Sequence, residues 1–302
     1  MAKHKEQQVS TVRQAKHGGL LTLFFVILSI AWIFPILIVV LNSFKLKAYI
    51  FRYPFGLSAN SITDGWDKFI QGAQKIFCGW LNYNNAITKT NFWSSFGNSL
   101  FITVGSVVVI ILCCSMCAWY IVRVNTKGTK LIYLLCLFSM IVPFQMVMFT
   151  LSKFANMLRL SNPLGIIVVY LGFGAGLAVF MFTGFVKSIS IEIEEAAMID
   201  GCSPLQTFFL VVFPILKPTV VTVAILEAMW VWNDFLLPSL VLNINKYKTI
   251  PIAIQYLKQS HGQVDWGAMM AVLVLAILPI VIFYIACQKY IIEGVLAGAV
   301  KG

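Results

Sequence analysis

Charge is scarce in this sequence. Of 302 residues, 11 are Asp or Glu and 22 are Lys or Arg, 11% in all, where soluble domains carry about 25%. Histidine is rarer still: His4, His17 and His261 are the only three, and none lies in an apolar run. No HExxH or GxSxG signature occurs, so the usual metalloprotease and serine-hydrolase sites are missing. Neither does a G-x-x-x-x-G-K-[ST] segment, which excludes ATP binding in the P-loop manner. No internal repeat or low-complexity segment is present. The seven cysteines are odd in number, so they cannot all pair within the chain. Cys114-x-x-Cys117 has redox or metal spacing, but no His or carboxylate lies near it. With Cys113, Cys136 and Cys287 it sits in apolar sequence, and these thiols read as small packing residues.

What the chain has in abundance is apolar sequence, 60% of it, from end to end. A membrane-spanning helix needs about 20 apolar residues to cross roughly 30 Å of hydrocarbon. Five stretches without Asp, Glu, Lys or Arg qualify: Leu20–Leu41, Phe96–Val122, Leu131–Leu151, Leu164–Val186 and Gly267–Gln288. A sixth, Pro218–Leu242, carries Glu227 and Asp234. The first follows a basic, polar segment (1–19) and is not closed by a small-residue cleavage site, so it reads as a retained helix. The fold class expected is therefore an all-α integral membrane protein of six transmembrane helices spanning 20–289, with a tail over 290–302. Pro35, Pro143, Pro238 and Pro279 are expected to kink or end helices. The three glycines Gly172, Gly174 and Gly176 read as close-packing sites.

The net charge of +11 is spread between the apolar runs, not gathered in a stripe, which speaks for lipid headgroups and against nucleic acid. Eleven of the 22 Lys and Arg fall on each side of a six-span arrangement, so the count alone does not orient the chain. The basic amino-terminus and Arg123, Lys127 and Lys130 in one short loop favour those loops inside. The long connection 42–95 holds twelve aromatics. It could lie along the membrane interface or meet an extracytoplasmic partner.

One connection differs from the rest. Four of the eleven acidic residues fall between Glu192 and Asp200. Ser190 is placed to cap a helix, and Glu192, Glu194 and Glu195 to complement its dipole. Gly201 suits a left-handed stop. Ser203, Pro204 and Gln206 then supply the cap, first turn and capping box of a second helix, limited by Pro214 and Pro218. Small Ala196 and Ala197 leave a face open to close approach. An acidic helix pair is repelled by an anionic leaflet, so docking on a partner fits better than lying on lipid.

Glu195-Ala196-Ala197, Asp200-Gly201, Pro214 and Pro218 together resemble the EAA loop of ABC-importer permeases. Phe185-Val186-Lys187-Ser188-Ile189, Trp232-Asn233-Asp234-Phe235-Leu236 and the ending Ala297-Gly298-Ala299-Val300-Lys301-Gly302 are similar to the carbohydrate-uptake branch, in the MalG-type subunit. The likeness covers about residues 95–302 and the first span; Ser190 stands where the family usually has proline, Cys202 replaces a common alanine, and 56–80 looks like an insertion. The resemblance implies a permease of the bacterial cytoplasmic membrane with both termini cytoplasmic. The EAA loop (187–217) would dock on an ATPase through Glu195, Ala196, Ala197, Asp200, Gly201 and Pro214, and the tail residues Val300, Lys301 and Gly302 would form a second contact. It further implies a sister permease, two ATPase subunits and an extracytoplasmic sugar-binding protein; this chain would hold no cofactor, ATP and Mg residing on the ATPase.

In the fifth span Glu227, Trp230 and Asp234 share a helix face by spacing. Together with Asn233 they suit sugar stacking and hydroxyl recognition, or else helix-to-helix hydrogen bonding. Two other classes stay open: a gradient-driven transporter using Glu227 or Asp234, and a membrane enzyme.

Overall fold

The computed structural model describes residues 18–257 and 264–299. Among them every regular element is a helix, apart from one isolated bridge, Lys45 to Phe77. Packing divides the chain into two units.

The first unit holds the chain up to Tyr83 together with Trp266–Val274. Its α1 (Gly18–Ser43) is apolar throughout and runs unbroken through Pro35. The connection that follows is folded rather than slack, with α2 (Lys47–Arg52), α3 (Trp66–Ile76) and the start of α4 (Leu81–Thr90). Its polar atoms are spent on helix ends. Asn82 Nδ2 donates to the carbonyls of Ser43 and Lys45, both at 2.8 Å. The fully buried Lys45 donates through Nζ to Tyr53 O at 2.8 Å and Pro54 O at 3.1 Å. Carbonyls left over at a helix end need such partners when water is excluded. The segment 56–80 closes on α3 in the same way: Ser58 Oγ donates to Phe69 O at 2.8 Å, and Asn60 Nδ2 to Lys68 O at 2.7 Å. Trp66 and Trp80 remain exposed.

The second unit contains Asn84–Asp265 and the chain from Leu275. Its spine is α5 (Phe92–Val124), 33 residues long and about 50 Å at 1.5 Å per residue. Against it lies α8 (Pro163–Val186), begun by Asn162, whose Oδ1 accepts from Leu164 N and Gly165 N, with Pro163 in the first turn. Ile110, Cys114, Ala118 and Ile121 of α5 form one stripe, and Ala178, Phe182 and Val186 of α8 another. Steps of three and four residues keep each stripe on one side of its helix. Phe208, Val212 and Leu216 complete this core from the segment after α9 (Ile191–Ile199). Close approach is needed at Gly174 and Gly176. A Cβ at Gly176 would lie 2.4 Å from Met140 Cγ and 2.8 Å from the Cys136 carbonyl. Gly172 differs: a Cβ added there would meet nothing within 4 Å among the described residues.

Among the described residues four helices are long and apolar enough to cross a membrane, or six if each of two bent pairs is one span. Two of the expected spans are interrupted, the first of them at Pro143 as expected. Leu131–Leu151 is not one rod: α6 (Lys127–Ile141) and α7 (Phe144–Met157) meet at 108°. Pro143 has no N–H to continue the ladder and drives Val142 out of helical geometry. Pro218–Leu242 also breaks. α12 (Lys217–Asn233) stops at Asp234, and a short α13 (Leu236–Val241), with Pro238 inside it, follows. The preceding helical segment, Pro204–Ile215, joins α12 at 77°. It comprises α10 (Pro204–Thr207), a π-helical stretch Phe208–Val212 and α11 (Phe213–Ile215). The chain closes with α14 (Ile250–Tyr256) and α15 (Trp266–Ala299), which passes through Pro279 and past the tail boundary expected at 290.

The packing of α8 makes a paired prediction. Gly176→Ala must displace the Cys136 carbonyl and should destabilise the purified protein by about 1–3 kcal/mol. Gly172→Ala should leave the thermal midpoint in detergent unchanged or slightly raised, and equal midpoints for the two variants would contradict the packing described.

Candidate functional site

The helix pair after α8 is built by its own sequence. Ser190 Oγ accepts from Glu192 N and starts α9. At the other end Gly201 sits at φ +90°, a left-handed conformation glycine adopts freely. Its N–H reaches Met198 O and the next N–H, of Cys202, reaches Ala197 O, both at 3.0 Å. This crossed pair of bonds closes a Schellman stop. The second limb begins with a capping box: Ser203 Oγ accepts from Gln206 N, and Gln206 Oε1 accepts from Ser203 N at 2.8 Å. Pro214 cannot donate to a carbonyl four residues back. Just before it, Phe213 N–H bonds to Phe208 O, five residues back, which is the π-helical widening.

The loop residues named from the sequence do not all face one way. Glu195, Ala196, Asp200, Gly201 and Pro214 are exposed. Ala197 is buried, so it packs inward and is not part of an open face; only Ala196 of the pair is. Around the exposed carboxylates stand Ile191, Met198, Leu205 and Ile199, the last 86% exposed. These short helices thus leave apolar side chains exposed beside acidic ones. Val300, Lys301 and Gly302 lie outside the described residues.

Sequence reasoning missed the residues that hold this pair in place. Glu194, one position before Glu195, is only 2% exposed. Its Oε2 accepts from Trp119 Nε1 at 2.9 Å, and its Oε1 from Arg123 Nε at 3.0 Å and Nη2 at 2.6 Å. Arg123 Nη2 also donates to Ile189 O at 3.1 Å. Removing one partner of such a buried pair strands a charge, at a cost on the order of 3–5 kcal/mol. The visible signals were Arg123 in the last turn of α5 and the acidic cluster itself; their pairing, across 71 positions, has no local signature.

In α12 the expected constellation divides. Asp234 accepts from Tyr170 OH at 3.1 Å through Oδ2, and from Leu236 N at 2.9 Å and Leu237 N at 3.3 Å through Oδ1. It thus ties α12 to α8 and starts α13. Trp230, 40% exposed, meets the Tyr170 ring edge-on at 5.4 Å. Asn233 is exposed and bonds back to Met229 O. Glu227 is not with them. It is buried against Gly174, and its Oε2 has no hydrogen-bond partner among the described residues. Trp232, which the sequence offered only as part of a motif, is buried and donates to Ala276 O at 3.4 Å. A cleft of about 230 Å³ between α5, α12 and α15 is lined by Leu100, Val104, Met229, Trp232 and Phe283. Its walls are apolar, and the polar groups of α12 lie instead around Tyr170. Among the described residues no cluster of His, Cys, Asp or Glu is fit to hold a metal.

Comparison with known proteins gives a consistent set of matches. Residues 110–296 match the family described as binding-protein-dependent transport system inner membrane component. The chain is 37% identical over 282 residues to the probable starch degradation products transport system permease protein AmyC of Thermoanaerobacterium thermosulfurigenes, covering 93% of this chain and 96% of that one. It is 32% identical to the arabinooligosaccharides transport system permease protein AraQ of Halalkalibacterium halodurans, over 94% and 96% of the two chains. It is also 32% identical to the multiple sugar-binding transport system permease protein MsmG of Streptococcus mutans, over 88% and 91%. Among solved structures, a chain of a bacterial ABC transporter that imports the acidic polysaccharide alginate shares the fold. The TM-score is 0.69 at 22% identity, covering 94% of this chain and 99% of that one.

The Tyr170–Asp234 tie has a graded expectation. Tyr170→Phe removes one hydrogen bond and should cost about 0.5–1.5 kcal/mol. Asp234→Ala also frees the two N–H groups that start α13 and should cost more than Tyr170→Phe in the same thermal unfolding assay. Asp234→Asn, which keeps an acceptor for those N–H groups, should fall between them.

Proposed function

This chain belongs to the family of binding-protein-dependent transport system inner membrane components, and we propose that it is the six-span permease subunit of an ATP-driven oligosaccharide importer. In this reading α6 with α7 makes one span and α12 with α13 another, and Pro204–Ile215 stays outside them in the loop. The observation that carries it is the helix pair 187–217, whose two limbs are closed by their own caps and present Glu195, Asp200, Gly201 and the exposed Ile199 outward. The ATPase subunits would receive this surface. Having no P-loop, the chain would take its energy from ATP and Mg held by those partners. A sister permease would form the other half of the pathway, and an extracytoplasmic binding protein would deliver the sugar. Both termini and the coupling loop would then lie in the bacterial cytoplasm, with 42–95 on the outer side, and 300–302 would make a second ATPase contact.

The names of the relatives support the substrate class: one is named for the transport of starch degradation products, another for that of arabinooligosaccharides. On the pathway, Trp230 and Asp234 would offer a ring face and an acceptor where Tyr170 gathers them. ATP binding would close the ATPase pair, and the coupling helices would carry that motion into the spans as a rigid-body change.

Affinity purification of the tagged chain from native membranes in mild detergent tests this reading. A P-loop ATPase and a second multi-span permease should come with it. Recovery of the chain alone, in a detergent that preserves other complexes, would favour a gradient-driven carrier, as would uptake that survives loss of ATP but stops when the ion gradient collapses. Gly201→Leu forces a branched side chain into the left-handed position and should misplace the second limb. Oligosaccharide uptake by cells should fall at least about tenfold, by analogy with other strained backbone sites that cost 1–3 kcal/mol, while the amount of protein in the membrane is unchanged. Normal uptake would remove Gly201 from the coupling surface.

A further inference from the structure

Glu194 stands inside the acidic helix yet turns away from the docking surface, and its partners all come from α5. Trp119 holds one carboxylate oxygen and Arg123 the other, through two nitrogens at 3.0 and 2.6 Å. The same guanidinium reaches back to Ile189 O at 3.1 Å, the carbonyl just ahead of the cap of α9. The indole ring of Trp119 also packs on Phe208, with centroids 5.4 Å apart, and Phe208 is fully buried in the second limb. One turn of α5 thus grips the entry, the first helix and the second limb together. This connection is not made by the chain itself, which runs from α8 into the loop and on to α12. A loop joined only at its ends could swing about them. With both carboxylate oxygens fixed by a planar fork and an indole, α9 has no free rotation relative to α5. Further along, α5 is committed by its buried stripe to α8.

We propose that Glu194, Arg123 and Trp119 form the strut that passes displacement of the coupling helices into α5, and so into the membrane-spanning core. The proposal rests on the reading of this chain as an importer permease. These are positioning residues: they touch neither sugar nor nucleotide, and their effect is on how far a movement at the loop travels.

The test uses the whole complex, purified through this chain, with and without ATP plus vanadate, read by hydrogen exchange in wild type, Arg123→Lys and Glu194→Gln. Arg123→Lys keeps the charge and loses the fork; Glu194→Gln keeps the shape and loses the charge. In wild type the nucleotide should change exchange both in the loop (187–217) and in the last turns of α5. In the variants the loop response should persist while that of α5 falls about threefold or more, the scale on which residues along a coupled network alter coupling. An α5 response of wild-type size in both variants would overturn the strut. So would loss of the loop response together with that of α5, or failure of both variants to assemble, since either would mean that the cluster merely builds the loop. Wild-type complex that lacks an ATPase, or whose loop ignores nucleotide, would instead fault the importer reading on which the proposal stands.

Discussion

A peptide backbone in hydrocarbon has no water to bond with, and each unmatched N–H or C=O there costs several kcal/mol. That constraint makes the chain helical nearly throughout and decides where a helix is allowed to stop. Two interruptions carry their own supply of partners, and a third is made by a residue without a donor. At the end of α12, Asp234 takes the N–H groups of Leu236 and Leu237 while accepting from Tyr170. Past the end of α1, Asn82 and the buried Lys45 donate to carbonyls that a longer helix would have bonded internally. Between α6 and α7 the missing donor belongs to Pro143, which has none to satisfy. Breaks in these helices are therefore placed features with side chains committed to them.

The same constraint divides the polar residues of the helices into two kinds. Tyr170 and Asp234 satisfy each other across two helices and fix how α8 and α12 meet. Glu227 Oε2 has no hydrogen-bond partner among the described residues and is pressed against the notch at Gly174. The loop 187–217 combines both situations: Ile199 is exposed, while Phe208, Val212 and Leu216 are buried in the core with α5 and α8, and its own caps and the Arg123–Glu194 ion pair add to that hold.

Much of this was legible from local sequence. The serines at 190 and 203, Pro204, Gln206 and Gly201 each have one geometric role that neighbouring residues define, and each plays it. The apolar runs announced helices for the same reason, and the EAA resemblance placed the family. Less legible was anything that depends on a residue far off in the chain. Glu194 and Glu195 are adjacent and chemically the same; one is buried and the other exposed because Arg123 and Trp119 happen to lie beneath only one of them. Ala196 and Ala197 divide for the same reason. Glu227, Trp230 and Asp234 share a helical face by spacing, but Tyr170 collects only the last two, and Gly172 differs from Gly174 solely in what stands opposite.

By itself, then, the sequence determined the all-helical membrane character, the helix ends whose caps are contiguous, and the family, since these depend on hydrophobic run length and on hydrogen bonds spanning a few residues. Tertiary structure alone decided which of the prolines interrupt their helices, which acidic residue is buried, and which polar residues meet. Those outcomes depend on the side chains that a second helix brings within 3 Å, and no periodicity in the first helix encodes them.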